Sequence, residues 1–212
     1  MRKILIIGMV VSGVTFSRSY SQQVNGQVIS TDNNITVIQV WGTHQERGYA
    51  VGYLLAPKII DLYTNYIKPS FGSFLPTAKQ LIQNPAHFTI DADYKTEAQA
   101  MADGILAAGY APNIDKNDIL VANSFLDISN LSVVNINMRF GCSSLLSWGA
   151  ATAGTGLEGK SVLSRHLDWS SSSVIIRNQV MIIHLPSEEG LQPWLLIGFA
   201  GQMSVLSGLN RS

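Results

Sequence analysis

The amino-acid sequence predicts one α+β domain with a mostly helical first half and a β-rich second half. The chain has 212 residues, of which 46% are hydrophobic and 13% charged, so it carries enough apolar surface for one substantial core. Apolar residues recur at helical spacing from Glu46 to Phe125, whereas short β-like runs follow Leu131. Because no internal repeat, low-complexity tract or interdomain linker divides the chain, a single domain accounts for both textures.

The first half begins with a predicted strand and continues with helices. Residues 35–42 (ITVIQVWG) alternate in the manner of a strand and follow a polar stretch from Gln22 to Asn34. Apolar positions from Glu46 to Ile67 predict a helix that Pro57 kinks or breaks and that Pro69 closes. Further helical patterns cover residues 75–83, 94–108 and 116–125.

The second half consists of predicted strands joined by hairpins. Each is a short β-like run, and turn-rich spacers such as AGTGLEG and PSEEG separate them. The runs are VVNINMRF (133–140), CSSLLSWGAAT (142–152), SVLSRHLDW (161–169), NQVMIIHL (178–185) and PWLLIGFA (193–200).

The N-terminal residues predict export. Two basic residues precede an apolar run from Ile4 to Val11, and small residues follow at Ser19 and Ser21. This order is typical of a secretory signal peptide over residues 1–21. The apolar run is far shorter than the ~20 residues of a membrane span. We therefore expect a secreted or periplasmic protein without a stable membrane anchor; a permanent anchor is the weaker alternative.

The charge balance and the cysteine count narrow the possible functions. Fourteen basic residues balance 14 acidic ones, which argues against nucleic acid or an anionic membrane as a partner. Cys142 is the only cysteine, so the chain cannot form an internal disulfide. In an exported protein this residue is either a buried, inert side chain or a reactive thiol.

The segment around this cysteine carries the most specific pattern in the chain. Residues 140–169 read FGCSSLLSWGAATAGTGLEGKSVLSRHLDW, with Cys142 followed by Ser143 and, after a turn, Arg165-x-x-Asp168 before a tryptophan. This pattern resembles the cysteine-type N-terminal-nucleophile hydrolase superfamily. That superfamily includes the penicillin V acylases, bile salt hydrolases, acid ceramidases and the acyl-coenzyme A:6-aminopenicillanic acid acyltransferases.

Two further patches strengthen the resemblance. Upstream, the glycines at 42, 48 and 52 in WGTHQERGYAVGYLLAPKI resemble the glycine-rich opening of a helix in the acyltransferase-like branch. Near the end, GFAGQMSVLSGLN (198–210) resembles a strand pair of the same proteins. The three patches stand in the superfamily's order and cover most of the chain after the predicted signal peptide.

The resemblance implies a role for each site residue. Self-cleavage after Gly141 would free the α-amino group of Cys142, whose ordinary pKa of roughly 8 suits a base near neutral pH. Cys142 would then supply both nucleophile and base. Asp168 would hold the amine, and Arg165 would lie beside the thiol and favour the thiolate. Gly141 has no Cβ, which lets the sulfur approach the preceding carbonyl.

The resemblance also implies an incomplete four-layer αββα sandwich. Residues 22–141 would form its helical N-terminal portion, and residues 142–212 would begin the portion that carries the nucleophile. Members of the superfamily continue with more strands and an oxyanion-stabilising asparagine, so the chain is expected to be truncated at its C-terminus. Asn210 belongs to an earlier patch and is not assigned that role.

The implied function is hydrolysis or acyl transfer at a non-peptide amide through a Cys142 thioester. The substrate would be a small-molecule amide, and neither a metal nor an organic cofactor is required. The oligomeric state stays open. Two alternatives remain: a lipid acyl hydrolase like the phospholipase B-like proteins, and a truncated remnant without activity. Arg165 and Asp168 could also be only a surface ion pair, worth less than about 1 kcal/mol.

Other motifs are weaker. The turn between the two segments matches G-x-x-x-x-G-K-S and G-x-G-x-x-G, but β-like residues follow it where a phosphate-binding loop needs a helix. No G-x-S-x-G elbow of a serine hydrolase occurs. The histidines at 44, 87, 166 and 184 lack the spacing of zinc ligands. His166 is expected on the strand face opposite Arg165.

Overall fold

In the computed structural model, seven strands form a five-stranded sheet and a separate two-stranded hairpin within the described residues, which are 22–110, 112–131 and 141–210. The predicted signal peptide (1–21) and the predicted strand 133–140 lie outside these residues. The strands are β1 (Gly26–Asp32), β2 (Ile35–Gly42), β3 (Gly141–Ser147), β4 (Val162–Asp168), β5 (Gln179–Pro186), β6 (Trp194–Phe199) and β7 (Ser207–Asn210).

Most of the helices lie in the first half, as predicted. They are α1 (His44–Leu62), α2 (Lys68–Phe71), α3 (Leu75–Leu81), α4 (Ala92–Ala107), α5 (Lys116–Asn123), α6 (Phe125–Ser129) and the short α7 (Ser173–Arg177). A π-helical segment, Tyr63–Ile67, joins α1 to α2, and 3₁₀ turns occupy Gly72–Phe74 and Gly149–Ala151. The α+β class, with helices early and strands late, is confirmed.

The large sheet joins the two ends of the described chain. Its strand order is β1-β2-β5-β6-β7, with β2 parallel to β5 and the other pairs antiparallel. One face is buried through residues such as Ile38, Val40, Ile182 and Leu196, and these belong to the same buried cluster as the apolar residues of the helices. We call this body, the five strands with their helices, the helix-backed sheet.

Glycines allow α1 and α4 to pack at very close range. A Cβ on Gly52 would overlap the carbonyl oxygen of Met101, and a Cβ on Gly104 would overlap that of Tyr49. Gly48 is similarly close to the backbone of Glu97. The glycines at 48 and 52, noted in the sequence for their resemblance to a family patch, therefore have a packing function in this fold.

The β1 strand was missed because residues 22–34 were interpreted only as a polar stretch. Most of β1 is exposed, so its sequence, GQVISTD, shows no buried apolar face. The available signal was the turn: Asn33 and Asn34 both have positive φ, 46° and 69°. Two such residues form the tight hairpin turn in which asparagine is favoured.

The break predicted as one alternative at Pro57 and the helix end predicted at Pro69 were wrong. Helix α1 does not break at Pro57 but continues to Leu62. Pro57 and Tyr53, four residues earlier, are both exposed residues. Pro69 does not close the helical run either, because it lies in the first turn of α2, where a missing N–H is tolerated. The chain instead turns at Gly72, whose φ is 52°.

Strands β3 and β4 form a hairpin outside the large sheet, which we call the isolated hairpin. Its β3 strand ends at Ser147, earlier than the predicted 142–152, because Gly149 adopts φ 57° and starts a 3₁₀ turn. Leu163 and Leu167 of β4 face Ile197 of the large sheet across a cleft of about 340 Å³. In the described ranges, no helix is long and apolar enough to cross a membrane.

Candidate active site

The isolated hairpin gathers the residues singled out in the sequence. Gly141 lies opposite Asp168 and Ser144 lies opposite Arg165, with Cys142 between them on β3. Side chains directly opposite in an antiparallel pair share a face, and successive side chains alternate. Cys142 therefore shares a face with Ser144 and Arg165, whereas Asp168 points from the other face beside Gly141. The predicted pairing of the two segments is confirmed.

Cys142 is exposed, with its thiol free of any disulfide. The alternative of a buried, inert cysteine is therefore wrong. Its cross-strand partner is Leu167, and the next four positions on β3, 143–146, are exposed as well. A thiol in this position is open to both a base and a substrate, which a packed cysteine is not.

Gly141 and Asp168 approach each other closely. A Cβ built on Gly141 would lie 3.1 Å from Oδ2 of Asp168. The carboxylate thus occupies the space that a larger residue before Cys142 would need. The structure therefore brings Asp168 next to the residue that precedes Cys142.

Arg165 is held by a neighbour on the opposite strand. Its Nη1 donates to Oγ of Ser144 at 2.9 Å. Arg165 and Asp168, both within the described residues, form no ion pair with each other because they lie on opposite faces of β4. The interpretation of this pair as a surface ion pair is wrong, and the two residues are free to serve different groups.

Trp169, directly after β4, contacts the helical layer. Its Nε1 donates to the hydroxyl oxygen of Tyr66 at 3.1 Å. The ring centroid of Trp169 lies 6.3 Å from that of Phe125 and 6.2 Å from that of Phe199. Asp168 is therefore one residue away from a fixed aromatic contact, which restricts where its carboxylate can lie.

These aromatic rings border a cavity of about 230 Å³. Its apolar walls come from the end of α1, the π-helical segment, α6, the residue after β4, α7 and β6. The residues are Leu62, Tyr66, Phe125, Trp169, Ile175 and Phe199. The volume is below the roughly 300–1,000 Å³ typical of sites for drug-sized ligands. A short apolar chain or ring fits it better. The residues that form it are scattered along the sequence, so no local motif could have predicted it.

A second polar cluster lies at the N-terminus of α1, which the sequence analysis missed. Thr43 and Glu46 form a reciprocal capping box there, a signal readable as T-H-Q-E. Arg47 is buried, and its Nη1 donates to Oε2 of Glu188 at 2.8 Å. His44 contacts Glu97 at 2.8 Å, and this hydrogen bond raises the pKa of His44. The cluster ties α1 to α4 and to the loop after β5.

His184 differs from the other described histidines in its burial. It stacks on Trp194 with ring centroids 3.7 Å apart, and neither ring nitrogen has a hydrogen-bond partner among the described residues. Burial, and then the positive charges of Arg47 and His44, lower the pKa of His184 to about 3. A ring held neutral in this way is a core residue.

His166 and the glycine-rich turn lie where their positions in the sequence predict. His166 lies opposite Ser143, on the face away from Arg165. In the described part of the chain, no group of three or more His, Cys, Asp or Glu side chains is arranged to hold a metal ion. The glycine-rich turn leads into strand β4, so it has no helix N-terminus to present to a phosphate.

Comparisons with known proteins set few limits on the function. A scan against protein-family models finds no match. Protein dcd1B of Dictyostelium discoideum is 22% identical to the chain over 206 residues, an alignment that covers 88% of this chain and 39% of that protein. The chain therefore spans well under half the length of this relative.

Proposed function

We propose that the chain belongs to the cysteine-type N-terminal-nucleophile hydrolases and that it hydrolyses an amide or transfers its acyl group. The observation that carries the proposal is the register of the isolated hairpin. It sets an exposed Cys142 directly after Gly141 and sets Gly141 opposite Asp168. Arg165 lies on the thiol's own face. The predicted signal peptide supports action outside the cell or in the periplasm.

The first step of the proposed chemistry is self-cleavage. The sulfur of Cys142 attacks the carbonyl carbon of Gly141, and the peptide nitrogen of Cys142 leaves with a proton, which gives a thioester. Water then attacks the thioester and releases the carboxylate of Gly141 and the thiol. The new α-amine of Cys142 would lie beside Asp168, whose negative charge holds it in place.

Turnover would use the same sulfur on an external amide. The α-amine takes the thiol proton, and the thiolate attacks the substrate carbonyl. The substrate C–N bond breaks as the departing amine receives that proton, which leaves an acyl thioester on Cys142. Water or a second amine then takes the acyl group and restores the thiol. Arg165 contributes a positive charge on the face of the hairpin where the sulfur lies.

The aromatic cavity beside Trp169 supports an apolar acyl group as part of the substrate. Its lining includes Trp169, the residue after Asp168, and is mostly apolar. At about 230 Å³ it suits a short or medium acyl chain better than a long one. Ala122 lines this cavity, so Ala122→Leu should shift the preference toward shorter acyl chains without touching the hairpin.

The proposed fold is a four-layer αββα sandwich. Helices cover one face of the large sheet, and the isolated hairpin faces the opposite side across a cleft. In this proposal the helices are one outer layer, the five-stranded sheet is one inner layer and the isolated hairpin belongs to the second inner layer. The second helical layer is part of the proposal alone.

A substrate panel tests the proposed function. Purified full chain is incubated with p-nitroanilides and p-nitrophenyl esters that carry short, medium and long acyl groups. We expect amide turnover that Cys142→Ala abolishes and that Ser143→Ala, on the opposite face of β3, leaves nearly unchanged. Turnover of esters with no amide turnover would favour a lipid hydrolase like the phospholipase B-like proteins. Absence of turnover and of thioester formation would favour a chain without activity.

A further inference from the structure

A cavity of about 650 Å³ lies beside the N-terminal end of α1. Its walls come from α1, the beginning of α4, the loop between β5 and β6, strands β6 and β7, and the loop between them. No described residue of the isolated hairpin lines it, so it is separate from the candidate active site. Its volume lies within the roughly 300–1,000 Å³ typical of sites for small molecules. We call it the basic cavity.

The charged side chains that line the basic cavity are basic. They are His44 and Arg47, and no acidic side chain among the described residues lines it. Glu97 and Glu188 bind these two residues but are not part of the lining. The hydrogen bond with Glu97 raises the pKa of His44, so more of its imidazole carries a positive charge near neutral pH. The cavity therefore presents positive charge to a ligand and favours an anion.

Arg47 has hydrogen-bond donors that the protein does not use. The residue is 1% exposed, and both hydrogen bonds of its guanidinium, to the carbonyl oxygen of Gly42 and to Oε2 of Glu188, come from Nη1. Its Nε is buried and has no partner among the described residues. Because a guanidinium carries five N–H groups, the edge formed by Nε and Nη2 is left for another acceptor. Two parallel N–H groups of this kind match the two oxygens of a carboxylate.

The rest of the basic cavity suits the apolar body of a ligand. Five apolar side chains line it, namely Leu191, Leu195, Met203, Val205 and Leu209. The indole of Trp194 lines it as well. His184 covers one face of this indole, nearly parallel to it at a centroid distance of 3.7 Å, and so holds it in place. An aromatic ring fixed in this way offers a surface on which another ring can pack.

We propose that the basic cavity binds a small monocarboxylate with an aromatic or aliphatic body, and that its carboxylate accepts hydrogen bonds from Arg47. The body of the ligand packs against Trp194 and the leucines of the wall. A dianion such as a phosphate ester is disfavoured, because Oε2 of Glu188 lies 2.8 Å from Nη1 of the same guanidinium and repels a second negative charge. This site is independent of the chemistry proposed for Cys142.

Isothermal titration calorimetry of the full chain with 4-phenylbutyrate tests the proposal. The neutral 4-phenyl-1-butanol has the same apolar body, and phenyl phosphate carries an aromatic ring with a dianion. We expect saturable binding of 4-phenylbutyrate and affinities about tenfold lower for the other two probes, since each lacks or opposes the charged hydrogen bonds to Arg47. Absence of saturable binding of 4-phenylbutyrate, or equal affinity for the alcohol, would overturn the proposal.

Two pairs of variants locate the bound probe. Arg47→Lys keeps a positive charge but loses the planar fork, and should weaken binding of 4-phenylbutyrate about tenfold. Its control is Arg177→Lys, which changes the ion pair with Asp61 outside the cavity and should have no effect. Leu191→Asp places a negative charge in the cavity wall and should weaken binding roughly three- to fivefold more than the neutral Leu191→Asn.

The aromatic cavity beside Trp169 is a second place for an apolar probe. Ala122→Leu narrows that cavity and should leave the affinity for 4-phenylbutyrate unchanged. A loss of binding in Ala122→Leu, with no difference between Leu191→Asp and Leu191→Asn, would place the probe there and overturn the proposal. Should circular dichroism show Arg47→Lys to be unfolded, the Leu191 pair decides, because this side chain is 47% exposed and its substitution disturbs little packing.

Discussion

The helix-backed sheet and the isolated hairpin differ in how deeply their side chains are buried. In the sheet, Ile38, Val180 and Ile182 are completely buried. The buried Arg47 forms an ion pair with Glu188 in the loop after β5. In the hairpin, Leu145 is 67% exposed and Trp148 is 60% exposed. The sheet is held by its own core, whereas the hairpin depends on a few contacts at its end.

Because of this difference, the residues that stabilise the fold and the candidate catalytic residues lie in different regions of the molecule. Residues that bury apolar surface set the free energy of unfolding, and the helix-backed sheet contains most of them. The candidate catalytic residues stand on the hairpin, where they are accessible and where substitutions disturb little packing. We therefore expect variants in the two regions to affect different measurements.

Truncation of a side chain in the core should give the largest effect. Ile182→Ala removes a fully buried side chain from β5 and should lower the free energy of unfolding by about 3–4 kcal/mol. Leu145→Ala on the exposed strand should lower it by less than about 0.5 kcal/mol. Urea unfolding, performed in a Cys142→Ala background so that the chain stays intact, measures both. Similar losses in the two variants would contradict the contrast between the regions.

The buried histidine of the sheet should make the protein sensitive to acid. The pKa of His184 falls from 6.5 to about 3 on folding. The neutral ring therefore contributes fully to the free energy of unfolding above pH 6.5, and this contribution is lost as the pH falls toward 3. Between pH 6.5 and pH 4 this amounts to about 3 kcal/mol of unfolding free energy. Urea unfolding across this range should show a flatter profile for His184→Phe, which keeps an aromatic ring against Trp194.

The exposed histidine of the hairpin provides the control. His166→Phe should leave the acid sensitivity of the wild type unchanged, because His166 is exposed on β4. His44 affects stability in the opposite direction, because its pKa is raised on folding. Its contribution to the free energy of unfolding is present below pH 6.5 and is lost as the pH rises through the pKa of the folded state. A wild-type loss that persists in His184→Phe would place the acid-sensitive group elsewhere.

The contact that joins the two regions should have a smaller effect. Tyr66→Phe removes the hydroxyl that accepts a hydrogen bond from Trp169, at a cost of about 1 kcal/mol in unfolding free energy. Self-cleavage should also slow, because Asp168 next to Trp169 is then held less firmly. Tyr53→Phe, at an exposed tyrosine of α1, is the control for both measurements. Equal rates of cleavage in the two variants would show that this anchor does not position Asp168.

The sequence predicted those helices and strands whose pattern of apolar residues is visible in a short segment. Helical spacing predicted α1, α4 and α5, and alternation around a glycine-rich turn predicted the pairing of β3 with β4. The strand β1 and the passage of α1 through Pro57 were not predicted, because each depends on solvent exposure and on neighbours. Whether a helix continues past an internal proline depends on the contacts of the packed helix, not on the local sequence alone.

Part of the candidate site was likewise predicted from the sequence, and part of it required the folded structure. Cys142, Arg165 and Asp168 were identified from a short pattern, since the residue types and the turn between them are adjacent in the chain. The contact between Ser144 and Arg165 depends on strand register, and a shift of one residue would remove it. The aromatic cavity combines residues from the helices, β6 and the end of β4, so it needed the folded structure.

The proposed function requires that Cys142 cleaves the chain at its own N-terminal side. Intact mass spectrometry of the purified full chain, compared with Cys142→Ala, measures this cleavage. We expect the wild-type protein to separate into two fragments between Gly141 and Cys142 and the variant to stay whole. A wild-type chain that remains uncleaved, or a Cys142→Ala variant cut at the same bond, would contradict it.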